Sequence, residues 1–276
     1  MPLWTPTRLL TLLLALALIG CGSPKANKLE APITQQLEQG IRSGSERFDH
    51  AAWNTTLTTW VDAKTGRVDY AGLKKDRAGL DGYVASLSTV DLRKLPRDEQ
   101  LALLINAYNA FTLTLIIDHL DGLKSIRDLP SPWDTPAYTL GGHKVSLNDI
   151  EHGLIRPIFK DPRIHFAVNC ASIGCPPLAN RAYTGPELDA QLTEAARRFA
   201  TDPAYVEVKD DALHVSKILD WYGADFTDPA FKGRASSVPT WLMPVTSEEV
   251  RAFIDSKGDA PTVTFKDYNW NLNAKQ

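Results

Sequence analysis

The chain has 276 residues, 43% hydrophobic, 9% aromatic and 23% charged, ordinary globular proportions that exclude collagen-like, disordered and polytopic membrane classes. Its 30 Lys and Arg against 33 Asp and Glu give a formal charge of -3, and a mildly acidic chain without a Lys/Arg cluster is a poor nucleic-acid binder, so no nucleic-acid partner is expected. Only 3 cysteines are present, too few for a disulfide scaffold.

Arg8 is the only charged side chain before Lys25, and the aliphatic run Leu9 to Ile19 is broken only by Thr11. That run has the length of a signal-peptide core, whereas a bilayer span needs about 20 apolar residues. It ends in Leu18-Ile19-Gly20-Cys21, which resembles a bacterial lipobox. The expectation is a signal peptide over residues 1–20 and a diacylglyceryl-modified, N-acylated (palmitate-type) Cys21 as membrane anchor. Gly22 rather than Asp follows it, which by resemblance to Gram-negative sorting rules places the protein on the periplasmic side of the outer membrane. Residues 21–45 then read as the lipidated Cys and a polar tether with one short helix, and 46–276 as a single domain.

Within that domain Trp53, Leu57, Trp60 and Val61 recur at near-helical spacing, followed by a Gly66 turn and a strand-like Arg67 to Tyr70. A second amphipathic helix is expected from about Asp76 to Leu87. The strongest helix follows Pro96: Asp98 and Glu99 suit its first turn, and Leu101 to Ile117 is apolar on all sides, so it must be central. Tyr138 to Val145, about Gly141-Gly142, carries a hairpin pattern, and Ser146 to Asp149 an acidic capping box opening a helix to about Arg156. Arg163 to Asn169 alternates as a strand would, placing His165, Ala167 and Asn169 on one face. Glu187 to Phe199 reads as a helix, Tyr205 to Val215 as a second hairpin about Asp210-Asp211, and Val250 to Ile254 as part of a late helix. This order argues for an α+β fold in which a central buried helix and surrounding helices pack on a small antiparallel sheet.

Several polar residues stand out against this frame. Asn106 and Asn109 lie three residues apart on the central helix, either tied into a structural network or lining a polar cleft. Glu151 and His152 begin the following helix, with Arg156 one turn later. His165 leads into Asn169-Cys170-Ala171-Ser172-Ile173-Gly174-Cys175-Pro176-Pro177, where a short turn brings two thiols together. Those thiols fit a disulfide, the expected state in an oxidising periplasm. They also fit a nucleophilic Cys170 or Cys175 with His165 or His152 as base, the logic of thiol hydrolases and acyl-transferases. A zinc site is the weakest fit, since the spacing lacks a second Cys/His pair. No metal and no cofactor is assigned.

Asp69-Tyr70, Ile105 to Ala110, Ser146 to His152, His165 to Pro177, Lys217 to Tyr222 with Asp225-Phe226, and Tyr268 to Asn273 together resemble the bacterial lipoprotein members of domain-of-unknown-function family 547. The resemblance implies no activity. A distant likeness to the papain/transglutaminase-type fold is also noted, but such a site places its nucleophilic Cys at the start of the central helix, where this chain has none. The family's usual tail reads Tyr-Asp-Trp-Ser-Leu-Asn, whereas this chain has Asn269 and Asn271, so no carboxylate role is carried to 269. Two functions follow as expectations: a periplasm-facing binding or scaffold module for an envelope peptide, glycan or protein, with Asn106, Asn109, Glu151 and His152 in its cleft, and a cysteine-dependent amide hydrolase or acyl-transferase built on His165, Cys170 and Cys175.

Overall fold

In a computed structural model, which describes residues 31–258 and 260–275, one helix organises most of the molecule. Arg97–Asp118 is long and apolar enough to cross a bilayer, yet 89% of its most apolar window is buried inside the fold. It is surrounded by Ala31–Ser43 (α1), Ala51–Trp60 (α2), Tyr70–Lys75 (α3) and Ala78–Ser88 (α4), and is itself α5. Its polar residues are fasteners rather than interruptions. Gln100 Nε2 donates to the carbonyls of Leu37, Leu92 and Leu95, and the Glu99 carboxylate accepts from the backbone of Phe48 and Gly185. A helix covered on every side must spend its polar groups on the backbone and side chains of what covers it.

The expected signal peptide and Cys21 lie outside the described residues. The stretch read as a tether, however, contains α1, whose Ile33 and Leu37 are fully buried in the core. Its polar composition hid a narrow apolar stripe, and this helix is part of the folded body.

Tyr138–Leu140 (β1) and His143–Val145 (β2) form the expected antiparallel hairpin, turned by Gly141 and Gly142 at φ 54° and 83°. The capping box also forms: Ser146 Oγ accepts the Asp149 N–H while the Asp149 carboxylate accepts that of Ser146. It opens a π-helix, Asp149–Phe159, which contains Pro157 and ends at Lys160 in the left-handed region, φ 50°. A wide helical turn of this kind is rare and is often found where a fold positions functional groups.

The expected strand over 163–169 is a 3₁₀ turn, Pro162–Phe166, capped by Asp161. The alternation was real but had another cause. Ile164 packs into the core around α5, whereas Phe166 belongs to a second core with Phe199, Phe226 and Trp241. Arg67 to Tyr70 likewise contributes only a bridge at Val68 before Asp69 caps α3.

The second core is built from Leu188–Ala200 (α6), the hairpin Val206–Lys209 (β3) and Ala212–Val215 (β4), the short helices Ile218–Trp221 (α7), Gly223–Thr227 (α8) and Val238–Leu242 (α9), then Glu248–Ser256 (α10) and Val263–Phe265 (β5). The hairpin turns at Asp210 and Asp211, φ 49° and 56°. β5 pairs with β4 in parallel, so the three-stranded sheet is mixed rather than antiparallel, and its buried residues pack into the second core instead of beneath α5. The fold is α+β with a buried central helix.

After β5 the chain runs back across both cores. Ile173 and Gly174 donate their N–H groups to the carbonyls of Asn271 and Asn269, and Asn273 donates to Ala171. The tail is thereby laced to the cysteine loop on one side and, through Val68, to the start of α3 on the other.

Candidate functional site

A cavity of about 260 Å³ lies where the two cores meet. Glu151 and His152 enter it from the π-helix, His165 and Val168 from the 3₁₀ turn and its exit, and Cys170, Cys175 and Pro176 from the cysteine loop. Its remaining walls are largely aromatic: Tyr108 of α5, Trp133, Trp221 and Tyr222 at the end of α7, and Tyr268 and Trp270 of the tail. Trp221, Tyr268 and Trp270 touch one another, with ring centroids 4.5 to 5.8 Å apart.

Five charged or titratable groups gather at one end: Glu151, His152 and His165 line the cavity, and Arg156 and Asp225 bond to the two histidines from behind it. Arg156 holds Asp225 at two points, Nε to Oδ2 at 2.7 Å and Nη2 to Oδ1 at 2.8 Å, the bidentate geometry that a guanidinium makes with a carboxylate. His165 Nε2 lies 2.8 Å from the same Oδ2. Burial raises the Asp225 carboxyl, but the hydrogen bonds from His165 and Arg156 outweigh it and draw the pKa down to about 2. Burial dominates for His165, lowering its pKa despite the partnership with Asp225. The carboxylate takes the Nε2 hydrogen, so in the neutral ring Nδ1 is an acceptor. It is buried and has no hydrogen-bond partner among the described residues. Tyr222 lies flat over the imidazole, centroids 3.9 Å apart.

Arg156 Nη1 is 3.0 Å from His152 Nδ1. A guanidinium only donates, so this nitrogen accepts and the imidazole hydrogen sits on Nε2, 3.9 Å from Glu151 Oε1. The Tyr222 hydroxyl has its pKa pushed far up by burial and by the neighbouring Glu151 carboxylate. The trio of Glu151, His152 and Arg156 is thus largely inside the fold, Glu151 buried and the other two partly so, and is linked to Asp225.

The thiols form the other flank. Both cysteines are free, so the expected disulfide is not found. Cys175 Sγ accepts the Cys170 N–H at 3.0 Å, and the Tyr268 hydroxyl lies 3.3 Å from Cys170 Sγ and 3.1 Å from Cys175 Sγ. Hydrogen bonding from Cys175, aided by Tyr268 and Ser172, outweighs burial and lowers the Cys170 pKa. Burial and the neighbouring Cys170 push Cys175 well up. Gly174 is required beneath this arrangement: a Cβ there would lie 2.9 Å from the Tyr268 ring. Ala171, at φ 62°, holds the loop in a left-handed conformation that a non-glycine residue rarely adopts.

Of the residues singled out in the sequence, Glu151, His152, His165, Cys170 and Cys175 line one cavity. Asn106 and Asn109 do not. Asn106 Oδ1 accepts from Trp53 Nε1 and the Tyr183 N–H, and its Nδ2 donates to the Tyr183 carbonyl and lies 3.2 Å from His50 Nδ1. Asn109 holds the backbone of Ala167 and Asn169. Of the four residues expected in one cleft, Glu151 and His152 line the cavity while Asn106 and Asn109 hold other segments, because amides three residues apart on a fully buried helix meet different loops. Asn169 is likewise structural, bonding Ala171 and Pro176 across the cysteine loop.

Sequence reasoning assigned no role to Asp225, Tyr222 or the aromatic wall. Their signal was present in Trp221-Tyr222, Asp225-Phe226 and Tyr268 to Trp270, motifs quoted for the family resemblance but separated from the cysteine loop by 45 residues or more of chain. Among the described residues no group of three His, Cys, Asp or Glu side chains is arranged to hold a metal ion.

No curated protein and no solved structure matches the chain. Residues 92–200, which carry α5, the π-helix, His165 and both thiols but not Asp225 or the Trp221 and Tyr268 wall, match the family model described as Protein of unknown function, DUF547.

Proposed function

We propose that this protein is a cell-envelope lipoprotein whose domain is a binding module, taking a small ligand, or the end of an envelope peptide or glycan, into the cavity between its two cores. The observation carrying this reading is the cavity itself: about 260 Å³, apolar over most of its wall with six aromatic rings, and with a few convergent polar groups at one end, the usual composition of a small-molecule site. The anchor is Cys21, and the domain faces the periplasm from the outer membrane. Three tryptophans in the wall make intrinsic fluorescence the direct assay. Titration with envelope-derived muropeptides and amino sugars should give saturable changes that Trp221→Ala weakens. Saturation unaffected by Trp221→Ala would remove the cavity from the reading. For the anchor, Cys21→Ser should release the protein from the membrane fraction, and retention at wild-type levels would refute lipidation there.

A second reading, thiol-dependent cleavage or transfer of an amide, is favoured by the lowered pKa of Cys170 on the wall of the same cavity. In that chemistry the Cys170 thiolate adds to the carbonyl, a thioester forms as the C–N bond breaks, and the amine leaves with a proton. Water or an acceptor amine then releases the acyl group, with His165, oriented by Asp225, as the base. Cys170→Ala separates the readings: turnover that disappears while binding persists supports the enzyme, and saturable binding with no turnover in the wild type supports the module.

A further inference from the structure

The formal charges around the cavity do not balance. Asp225 is matched by Arg156 in a two-point ion pair. A third Arg156 donor, on Nη1, is taken by His152 Nδ1, which leaves that imidazole with its hydrogen on Nε2 and no formal charge. Glu151 then stands alone. It is 5% exposed, lines the cavity, and has as neighbours the Tyr222 hydroxyl and His152 Nε2 at 3.9 Å, neither of them a cation in this arrangement. A buried carboxylate is costly without an opposite charge nearby.

The walls supply the complementary half of a cation site. Aromatic ring faces carry negative potential and attract ammonium and guanidinium groups. The protein already uses two of these rings so: Arg156 lies 5.2 Å from the Tyr222 centroid and Arg127 lies 5.1 Å from that of Trp270. Trp133, Trp221 and Tyr268 line the same cavity with no such cation over them among the described residues. An anionic ligand would meet the Glu151 carboxylate. For a bare metal ion, no three of the His, Cys, Asp and Glu side chains among the described residues are arranged to coordinate it together.

We propose that the cavity receives an organic ammonium group, with Glu151 as its counter-charge and the rings of Trp133, Trp221 and Tyr268 as its walls. This rests on the reading of the cavity as a ligand pocket and names the chemistry it selects: an alkyl or methylated amine carried on a small molecule or on the exposed end of a peptide or amino sugar.

The test uses probes of one shape and different charge: choline, its neutral carbon isostere 3,3-dimethylbutan-1-ol, and the anion 3,3-dimethylbutyrate, titrated into the full domain and followed by tryptophan fluorescence and calorimetry. Choline should bind roughly tenfold or more tighter than the neutral isostere, as cation–π attraction in a desolvated site provides, and the anion should bind weakest. In Glu151→Gln the choline preference should shrink toward unity, with the neutral isostere little changed. If the neutral probe binds as tightly as choline in the wild-type protein, the ammonium assignment falls while the ligand pocket stands. If none of the three binds, the pocket reading falls with it. The wild-type comparison decides these outcomes even if Glu151→Gln fails to fold.

Discussion

Asn109 Oδ1 accepts the backbone N–H of Asn169 at 2.8 Å, while its Nδ2 donates to the Ala167 carbonyl at 2.9 Å. One buried amide on the central helix thus holds the short segment linking His165 to Cys170. The backbone there is neither helix nor strand, so its donors and acceptors need side-chain partners, and an amide offers one of each in the spacing a peptide presents. The site's geometry is therefore referenced to the buried central helix.

Asn109→Leu should destabilise the protein by about 1 to 3 kcal/mol, since it strands a buried N–H and a buried carbonyl. It should also loosen the cysteine loop, which alkylation of Cys170 would report as a change in rate. Unchanged urea midpoint and unchanged alkylation would mean that the clamp contributes nothing.

Asn106 should behave differently. Its partners are Trp53, His50 and both backbone polar groups of Tyr183, none of which lines the cavity. Asn106→Leu should lower stability by about 1 to 3 kcal/mol while the fraction that remains folded keeps ligand affinity. Affinity lost at full thermal stability would place Asn106 in the binding site after all.

The contrast between these two residues shows what the sequence could and could not disclose. Local rules were legible: the all-round apolarity of Leu101 to Ile117 announced a buried helix, Gly141-Gly142 and Asp210-Asp211 their turns, and Ser146 with Asp149 a cap. Period-two alternation at 163–169 misled because Ile164 and Phe166 face different cores, a fact about tertiary packing that mimics a strand in a window so short. The site was half visible for the same reason. Glu151, His152, His165 and the thiols lie within 25 residues of one another, but Asp225 and the Tyr268 wall arrive only when the chain returns across the second core, and no local pattern encodes that return.

The two thiols should differ sharply. Cys170 is half-buried with its pKa lowered by hydrogen bonds from Cys175, Tyr268 and Ser172, whereas Cys175 is buried with its pKa raised by burial and by Cys170. Iodoacetamide should modify Cys170 first, at a rate that climbs with pH below the midpoint of an ordinary thiol near 8.5. Tyr268→Phe removes a hydroxyl near both sulfurs and should move that rate profile to higher pH. Equal labelling of both cysteines would contradict the asymmetry, and a loss of two hydrogens across the segment in non-reduced protein would restore the disulfide.

Acid should destabilise the protein in two stages, and the pair His165 and Asp225 sets both. The His165 pKa is lowered in the folded state, chiefly by burial. Below the unfolded value near 6.5, the unfolded chain therefore takes up a proton that the native imidazole refuses. Its contribution is present in full above about pH 6.5 and is lost as pH falls toward the folded value. Asp225 has a folded pKa of about 2. Against an unfolded value near 3.9, its contribution, on the order of 2 kcal/mol, holds above that pH and disappears as pH falls toward 2. Glu99, also lowered in the fold because bonds from His50 and from the Phe48 and Gly185 backbone outweigh its burial, adds to the acid limb. Urea denaturation should give a plateau from pH 8 to 7, a decline by pH 5.5 and a steeper one below pH 4. His165→Gln should flatten the first decline and leave the second. Asp225→Asn should cost up to about 3 kcal/mol at pH 7, where it leaves the partly buried Arg156 without its counter-charge, and less at pH 3, where the unfolded wild-type chain has already taken up the proton. A wild-type profile flat from pH 7.5 to 5.5 would show that His165 accepts its proton in the folded protein as readily as in the unfolded chain.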